Sequence, residues 1–526
     1  MTTQLRRTSF TFVDWFRAVW PFTAAGAAAA ALLFGTAELV AAFFAPVSSP
    51  LVAVGAGFID ITPAWLKDFA IAAFGTADKL VLFISMGCVA VLSAAALGVL
   101  ARTRMGLATT AVAAVAVLMG AVVLSRPDAT WTDLIPTAAG TVAGIVTLRW
   151  LVRLAHGFPA AKDPEGEPAH RMSRSSFLRG AGLAVGLAAL ATAGGRALSA
   201  AGNAATEMRR ALRLPAPRRT AGPLPAGVGI SIPGVPEFVT PNAQFYRIDT
   251  ALTVPRIDPS QWELRVHGMV EQEFTLSFDE LLEMDLQESW VTLTCVSNPV
   301  GGELAGNAKW LGYPLSELLA RAQPQTGADM VLSTSADGFS ASTPLQAMTD
   351  GRDALLAVGM NGEPLPFEHG FPVRLVIPGL YGYVSATKWV VELEVTRFAD
   401  RTAYWTDRGW SERGPIKLAS RIDVPRGSQT VPAGPTALGG TAWAQGIGID
   451  RVEVQIDDGP WLEAQLASEA TVDTWRQWSL AWDAEPGEHT AQVRAVNRDG
   501  ELQTSARTDT VPNGATGWHH VRFRVE

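Results

Sequence analysis

The chain has 526 residues, too many for one ordinary core, so several domains are expected. Charged residues make up 17% and the hydrophobic set 48%, a low-charge balance for a soluble protein. A net charge of −8 argues against general nucleic-acid binding, which needs a basic face, and two cysteines allow at most one disulfide.

The apolar excess is concentrated before about residue 200, where Ala, Val, Leu and Gly dominate. Four runs there are long enough to span a bilayer, near Val19–Ala45, Leu80–Leu100, Gly106–Leu124 and Leu134–Leu151. A fifth, "FLRGAGLAVGLAALATAGGRALSA", is weaker and rich in small residues. Arginines at 6, 7, 102, 104, 149, 153, 171 and 174 flank one set of ends, whereas "SRPDATWTD" has one Arg against two Asp. Those counts put the N-terminus in the cytoplasm and everything after about residue 205 outside. "RMSRSSFLRGAG" resembles the twin-arginine export signal but has only Arg174 before "SSFLR"; an ordinary transmembrane helix with basic flanks is the competing reading. Glu38 lies inside the first run, where a carboxylate is a functional hypothesis by default, or near the outer end of a tilted helix.

Cys88 sits in an apolar run and reads as small filler. None of the seven histidines, at 156, 170, 267, 369, 489, 519 and 520, falls inside an expected span, and there is no C-x-x-C-H. Neither membrane nor covalently attached haem is therefore supported. "EMRRALRLPAPRRT" and its prolines suit an extended linker, expected over 206–240.

From about residue 241 short strands and helices mix, which predicts an α+β domain running to about residue 413. "QWELRVHG" alternates and ends at Gly268; "SFDELLEM" opens with a capping box of Ser277 and Glu280. "WVTLTC" reads as a buried strand ending at Cys295, "YPLSELLARA" as an amphipathic helix, and "FPVRLVIPG" and "KWVVELEVTRF" as strands. Gly301 and Gly302 would let a bulky ligand approach the thiol. After Gly414, alternating strands separated by "DDG", "EPGE" and "NRDG" predict a β-sandwich over 414–526 without a catalytic cluster. His519 and His520 would point to opposite faces of a strand, which makes a metal pair there unfavourable.

A thiolate at Cys295 suits a soft transition metal, and His369, Arg374, Ser385 and Lys388 form a donor set for a phosphate-bearing cofactor. "TCVSNPVGGELAGNAKWLGYPLSELL", "MNGEPLPFEHGFPVRLVIPGLYG" and "TKW" resemble the sulfite-oxidase family of molybdenum enzymes, and the resemblance runs from about Pro241 to the C-terminus. "GTAWAQGIGIDRVEVQIDDGPWLEAQL" is similar to that family's immunoglobulin-like dimerisation domain, which implies a possible homodimer.

The resemblance implies one molybdenum ion held by a single molybdopterin and by Cys295 as metal ligand. Cofactor contacts would come from Tyr246, Arg247, His369, Arg374, Ser385 and Lys388. Arg247 matches an arginine near the metal that attracts an oxyanion, with Asp249 where the family often has His. A tyrosine that assists sulfite oxidation falls on Val358, so sulfite is a doubtful natural substrate.

The expectation is thus a multi-pass bacterial membrane protein with an extracytoplasmic molybdopterin domain that transfers oxygen atoms. Its partners would be a small oxyanion or oxide and a separate electron carrier. Competing expectations are an S-oxide or N-oxide reductase resembling protein-methionine-sulfoxide reductase catalytic subunits, and a membrane-tethered β-sandwich scaffold without catalysis.

Overall fold

The computed structural model describes residues 12–44, 48–63, 66, 73–74, 78–125, 129–156, 174–201, 204–251 and 254–526. Arg6, Arg7, Arg126, Asp128, His170 and Arg171, all used above, lie outside these. The chain forms two compact units, Met1–Asn203 with Ala251–Thr253, and the remainder.

Five helices in the first unit are long and apolar enough to cross a membrane: Val19–Ala41, Ile84–Ala101, Met105–Leu124, Trp131–His156 and Ser175–Ala197. A further helix, Pro50–Ile61, was not anticipated, since twelve residues give too short an apolar run to stand out. The helix Phe12–Ala41 packs against the helices Asp78–Ala101, Ile135–His156 and Arg174–Ala201 through small residues. A Cβ on Gly26 or Gly98 would collide with the facing backbone, and one on Gly195 would lie 2.8 Å from the Glu38 carbonyl. Backbones approach this closely only where side chains are absent, as in helix pairs that associate by packing rather than by expelling water. Leu92, Val117 and Leu190 face outward instead, so this unit carries many large apolar side chains on its surface.

Two sequence expectations are refined here. Ser49 donates to Glu38 Oε1 at 2.5 Å, so this carboxylate is tied to the start of the next helix. The helix Ile135–His156 runs longer than the apolar run suggested; His156 forms its last turn and meets the Phe22 ring edge-on at 5.1 Å.

The second unit begins with a short helix, Ala204–Ala211. The stretch expected to be a linker lies along this unit. Arg209 donates to the carbonyls of Leu365 and Pro364 at 2.7 and 2.8 Å, and Phe238 is buried beside Trp475. Ten strands follow: β1 (Glu263–Gly268), β2 (Phe274–Ser277), β3 (Gln287–Thr294), β4 (Ala305–Pro314), β5 (Met330–Ser335), β6 (Ser340–Pro344), β7 (Leu355–Met360), β8 (Glu363–Pro364), β9 (Arg374–Val376) and β10 (Val390–Thr396). They make one sheet of order β2-β1-β10-β5-β6 and another of order β3-β4-β7-β8, with β9 also on β7. β1 and β10 pair in parallel, the other neighbours antiparallel.

The capping box forms as read: Ser277 N–H donates to Glu280 at 2.8 Å, and Ser277 Oγ accepts from Glu280 N. The helix Leu315–Ala322 buries Leu315, Leu318, Leu319 and Ala322 at helical spacing. β3 is buried along most of its length, and Cys295 follows it directly.

Nine more strands complete the unit: β11 (Ala419–Val424), β12 (Thr430–Val431), β13 (Gly434–Trp443), β14 (Ile449–Ile456), β15 (Trp461–Glu463), β16 (Gln465–Leu466), β17 (Arg476–Ala484), β18 (Gly487–Asn497) and β19 (His519–Val525). They form sheets of order β11-β13-β17-β16 and β12-β19-β18-β14-β15. Leu438 and Trp478 of the first share one core with Val452, Val493 and Phe523 of the second. The "DDG" turn joins β14 to β15 with Asp457 and Asp458 both at positive φ, closed by Gly459 N–H donating to Ile456 O at 2.9 Å.

This β-rich region is bonded to β3. Thr292 Oγ1 accepts from Trp475 N–H at 2.8 Å, the Thr292 carbonyl accepts from Gln445, and Trp475 Nε1 donates to Phe238 O at 3.0 Å.

Candidate active site

Cys295 terminates a buried strand and is 8% exposed. Its backbone is fixed on both sides: its N–H donates to Leu304 O at 2.9 Å, and its carbonyl accepts from Asn298 N–H at 3.1 Å. The Asn298 side chain closes the loop by accepting from Leu304 N–H at 2.9 Å. Burial pushes the thiol pKa up, opposed by the nearby Ser297 N–H and hydroxyl.

The Tyr246 hydroxyl lies within electrostatic reach of both that sulfur and the Arg374 guanidinium. Burial drives its pKa far above the ordinary phenol range, so it is a neutral donor. Phe245 stacks on Tyr246 with ring centroids 5.3 Å apart and meets Trp310 and His369 edge-on at 5.9 and 5.5 Å. Aromatic packing thus holds the Tyr246 segment, which has no regular secondary structure, against β4.

Arg374, the first residue of β9, is 5% exposed. It donates to the carbonyls of His369, Ala386 and Leu375 at 3.0, 3.3 and 3.3 Å, and its guanidinium lies 5.0 Å from the Trp310 ring centre. No carboxylate among the described residues pairs with it. Burial lowers its pKa to about 10, still charged at neutral pH. A buried cation held only by neutral dipoles is electrostatically incomplete and favours an added anion.

His369 closes a short 3-10 turn and directs Nε2 at the Asn242 carbonyl, 3.0 Å away. Burial first, then Arg374, lowers its pKa to about 4, so the ring is neutral and Nε2 carries the proton in that bond. The next residue, Gly370, has φ +109, and a Cβ there would press on Arg374 Cβ at 3.0 Å and Lys388 Cβ at 3.2 Å. Glycine is what allows the three segments to converge.

Lys388 donates to Asp249 Oδ2 at 2.6 Å and to Glu368 O at 3.1 Å. Burial lowers its pKa to about 8, with Asp249 opposing the shift. Its neighbour Trp389 takes a left-handed backbone, φ +52, secured by Nε1 donating to Phe367 O at 3.0 Å. Arg247 pairs with the same Asp249, Nε to Oδ2 at 2.7 Å and Nη2 to Oδ1 at 3.3 Å.

The expected residues are thus gathered into two linked groups, Cys295 with Tyr246 and Arg374, and Arg247 with Lys388 through Asp249. Ser385 is buried in the turn Gly382–Ser385, and its hydroxyl donates to the Leu380 and Tyr381 carbonyls at 3.0 Å each, which commits its proton to its own loop. Val358 is fully buried in the apolar core that also contains Val296 and Leu356.

The expected opening at Gly301 and Gly302 is corrected. The space beside Gly301 holds the His519 imidazole, whereas a Cβ on Gly302 would strike Asn298 and Pro299 of its own turn. Arg421 donates to Gly302 O at 2.7 Å and pairs with Asp423. These glycines let the β-rich region clamp the cysteine loop. Nothing in the sequence signalled that use of His519 beyond its place on an alternating strand. Tyr381 was also missed: it is buried near the Cys295 sulfur, its pKa pushed up to about 12 by burial.

Residues 251–405 match the family described as the oxidoreductase molybdopterin-binding domain. Mitochondrial sulfite oxidase of Rattus norvegicus is 31% identical over 344 residues, 55% of this chain and 62% of that protein. Uncharacterized oxidoreductase YuiH of Bacillus subtilis is 32% identical over 157 residues, 30% of this chain and 76% of YuiH. The chain belongs to the sulfite-oxidase-like molybdopterin oxidoreductases. It spans less than two thirds of the length of its mammalian sulfite oxidase relatives. The sulfane dehydrogenase SoxCD of Paracoccus pantotrophus aligns at 23% identity with a TM-score of 0.47, over 56% of this chain and 85% of that one.

Membership of the sulfite-oxidase-like family implies the molybdenum cofactor, and the residues present fit it. A buried thiol at a strand end is a soft metal ligand. A buried guanidinium with no carboxylate partner among the described residues suits a phosphate-bearing group, and a neutral His and a neutral Tyr add uncharged polar contacts.

Proposed function

We propose that this protein is a membrane-anchored, extracytoplasmic oxidoreductase that transfers oxygen atoms, sulfite-oxidase-like but not a sulfite oxidase. When bound, the molybdenum cofactor supplies two-electron oxygen-atom transfer. Cys295 binds the metal and Ser297 steadies that sulfur. Arg374 and Lys388 hold the anionic part of the cofactor, His369 and Tyr246 contact its polar edges, and Ser385 shapes the loop that carries Lys388. Arg247, at the outer edge of the cluster, orients the substrate oxygen. The observation that carries this reading is the gathering of Tyr246 and the buried Arg374 cation around Phe245 and Trp310, with the Cys295 thiol in electrostatic reach of Tyr246.

Turnover requires a redox partner. Reduction of an oxide consumes two electrons and two protons and releases water; oxidation of sulfite consumes water and releases them. A separate electron carrier supplies or accepts those electrons. The five apolar helices support the membrane anchor, with the arginine-flanked ends inside and the second unit outside. The C-terminal sheets are read as an immunoglobulin-like domain that pairs two copies.

The test is protein made in a cofactor-competent host and assayed for molybdenum and for turnover of sulfite, methionine sulfoxide and trimethylamine N-oxide. Near-stoichiometric metal, with turnover that Cys295→Ser abolishes, is the expected result. Absence of molybdenum would leave the non-catalytic scaffold as the better reading.

A further inference from the structure

Asp249 belongs to none of the motifs that define the site, yet it organises the outer half of it. Its side chain is 4% exposed and sits between two cations, with Lys388 Nζ at 2.6 Å and Arg247 Nε at 2.7 Å from the same oxygen. The second oxygen takes Arg247 Nη2 at 3.3 Å, so the carboxylate engages the guanidinium along one edge at two points. That two-point edge is what an incoming oxyanion would use. Of the three cations at the site, Arg247 is by far the most exposed, at 36% of its side chain against 10% for Lys388. The cation that a solvent-borne anion meets first therefore already holds an anion of the chain's own.

One feature leaves room for a different substrate. Arg247 Nη1 makes no hydrogen bond among the described residues and remains a donor.

We propose that Asp249 sets the substrate class, so that the site takes uncharged oxides, such as a sulfoxide or an amine N-oxide, and refuses small oxyanions. An uncharged oxide oxygen needs a hydrogen-bond donor rather than net charge, and Arg247 Nη1 supplies one. An oxyanion must either displace a carboxylate that also neutralises buried Lys388, or sit beside it against like-charge repulsion. The inference rests on reading this cluster as an oxygen-transfer site.

The experiment titrates inorganic sulfate, an unreactive oxyanion, into full-length protein with and without cofactor, followed by calorimetry. The same variants are assayed for KM and kcat with dimethyl sulfoxide and sulfite. Wild type is expected to show no saturable sulfate binding beyond what Arg374→Met removes from cofactor-free protein, and no inhibition of dimethyl sulfoxide turnover by sulfate. Asp249→Asn is expected to gain sulfate binding by about tenfold or more, with the change in KM rather than kcat. Asp249→Glu, which keeps the charge, should stay refractory, and wild-type competition between sulfate and dimethyl sulfoxide decides the matter if Asp249→Asn does not fold. Saturable sulfate binding to wild type that persists in an Arg374→Met background and that Asp249→Asn leaves unchanged overturns the proposal. If such protein contains molybdenum and turns over, only the role of Asp249 falls. If it lacks molybdenum, the oxygen-transfer reading falls, while sulfate calorimetry still decides whether Asp249 excludes anions.

Discussion

The imidazole of His519 occupies the space that Gly301 leaves by having no side chain, and so a strand of the β-rich region reaches the loop that presents Cys295. His519 is anchored there by accepting from Ile422 N–H at 3.0 Å through Nδ1. Burial and the neighbouring Arg421 lower its pKa to about 4, so the ring that fills the gap is neutral.

Gly301→Ala should therefore destabilise the second unit. The new methyl group meets an immobilised ring, and the backbone at φ +80 resists any side chain. The expected loss is roughly 1–3 kcal/mol, seen as a lower Tm. His519→Ala should recover part of it in the double variant, because the obstructing ring is gone. Purely additive losses would show that the two residues do not share this space.

Cys295→Ser should fold like wild type, because a hydroxyl is smaller than a thiol and the loop is held by backbone bonds to Leu304 and Asn298. Circular dichroism and Tm should be unchanged. The visible absorption arising from sulfur-to-molybdenum charge transfer should lose the cysteine component, and turnover should vanish.

Arg374→Met should separate loading from folding. Without cofactor, Met removes a buried cation that only carbonyls hold, so the variant should be at least as stable as wild type toward urea. Molybdenum content after purification should nevertheless drop sharply. A variant that keeps its metal would show that this guanidinium does not grip the cofactor.

How much of this could be read in advance depends on distance along the chain. The helices with apolar runs of about 20 residues, β3, the Ser277 cap and the Leu315–Ala322 helix follow from local pattern, and each is present. His369, Arg374 and Lys388 lie within 20 residues of one another, and one turn through Gly370 brings them together. The Asp249 bridge joins residues 139 positions apart. The His519 clamp joins elements of two different sheets that no local pattern pairs. Gly301 illustrates the limit: the sequence marks a missing side chain, which reads as room for a ligand, but does not say that His519 fills the space.

Asp473 offers a test by pH. It lies half-buried beside β3; burial first, then Asp353, raises its carboxyl pKa to about 6 from an ordinary 3.8. The folded state then holds this proton more tightly than the unfolded state does. Stability should fall as pH rises from about 4 to 6, by no more than about 3 kcal/mol for this group. Asp473→Asn should flatten that part of the profile and raise Tm at pH 7, measured by thermal melts across the range. An unchanged slope would place the carboxyl in water.

The buried charge of Arg374, which pairs with no carboxylate among the described residues, has a consequence for biogenesis. Whatever free energy the interior lacks without an anion is returned when the cofactor binds, so loading and conformational stability form one linked equilibrium. Scarce cofactor would thus yield not idle enzyme but a less durable polypeptide, more open to proteases than its loaded counterpart.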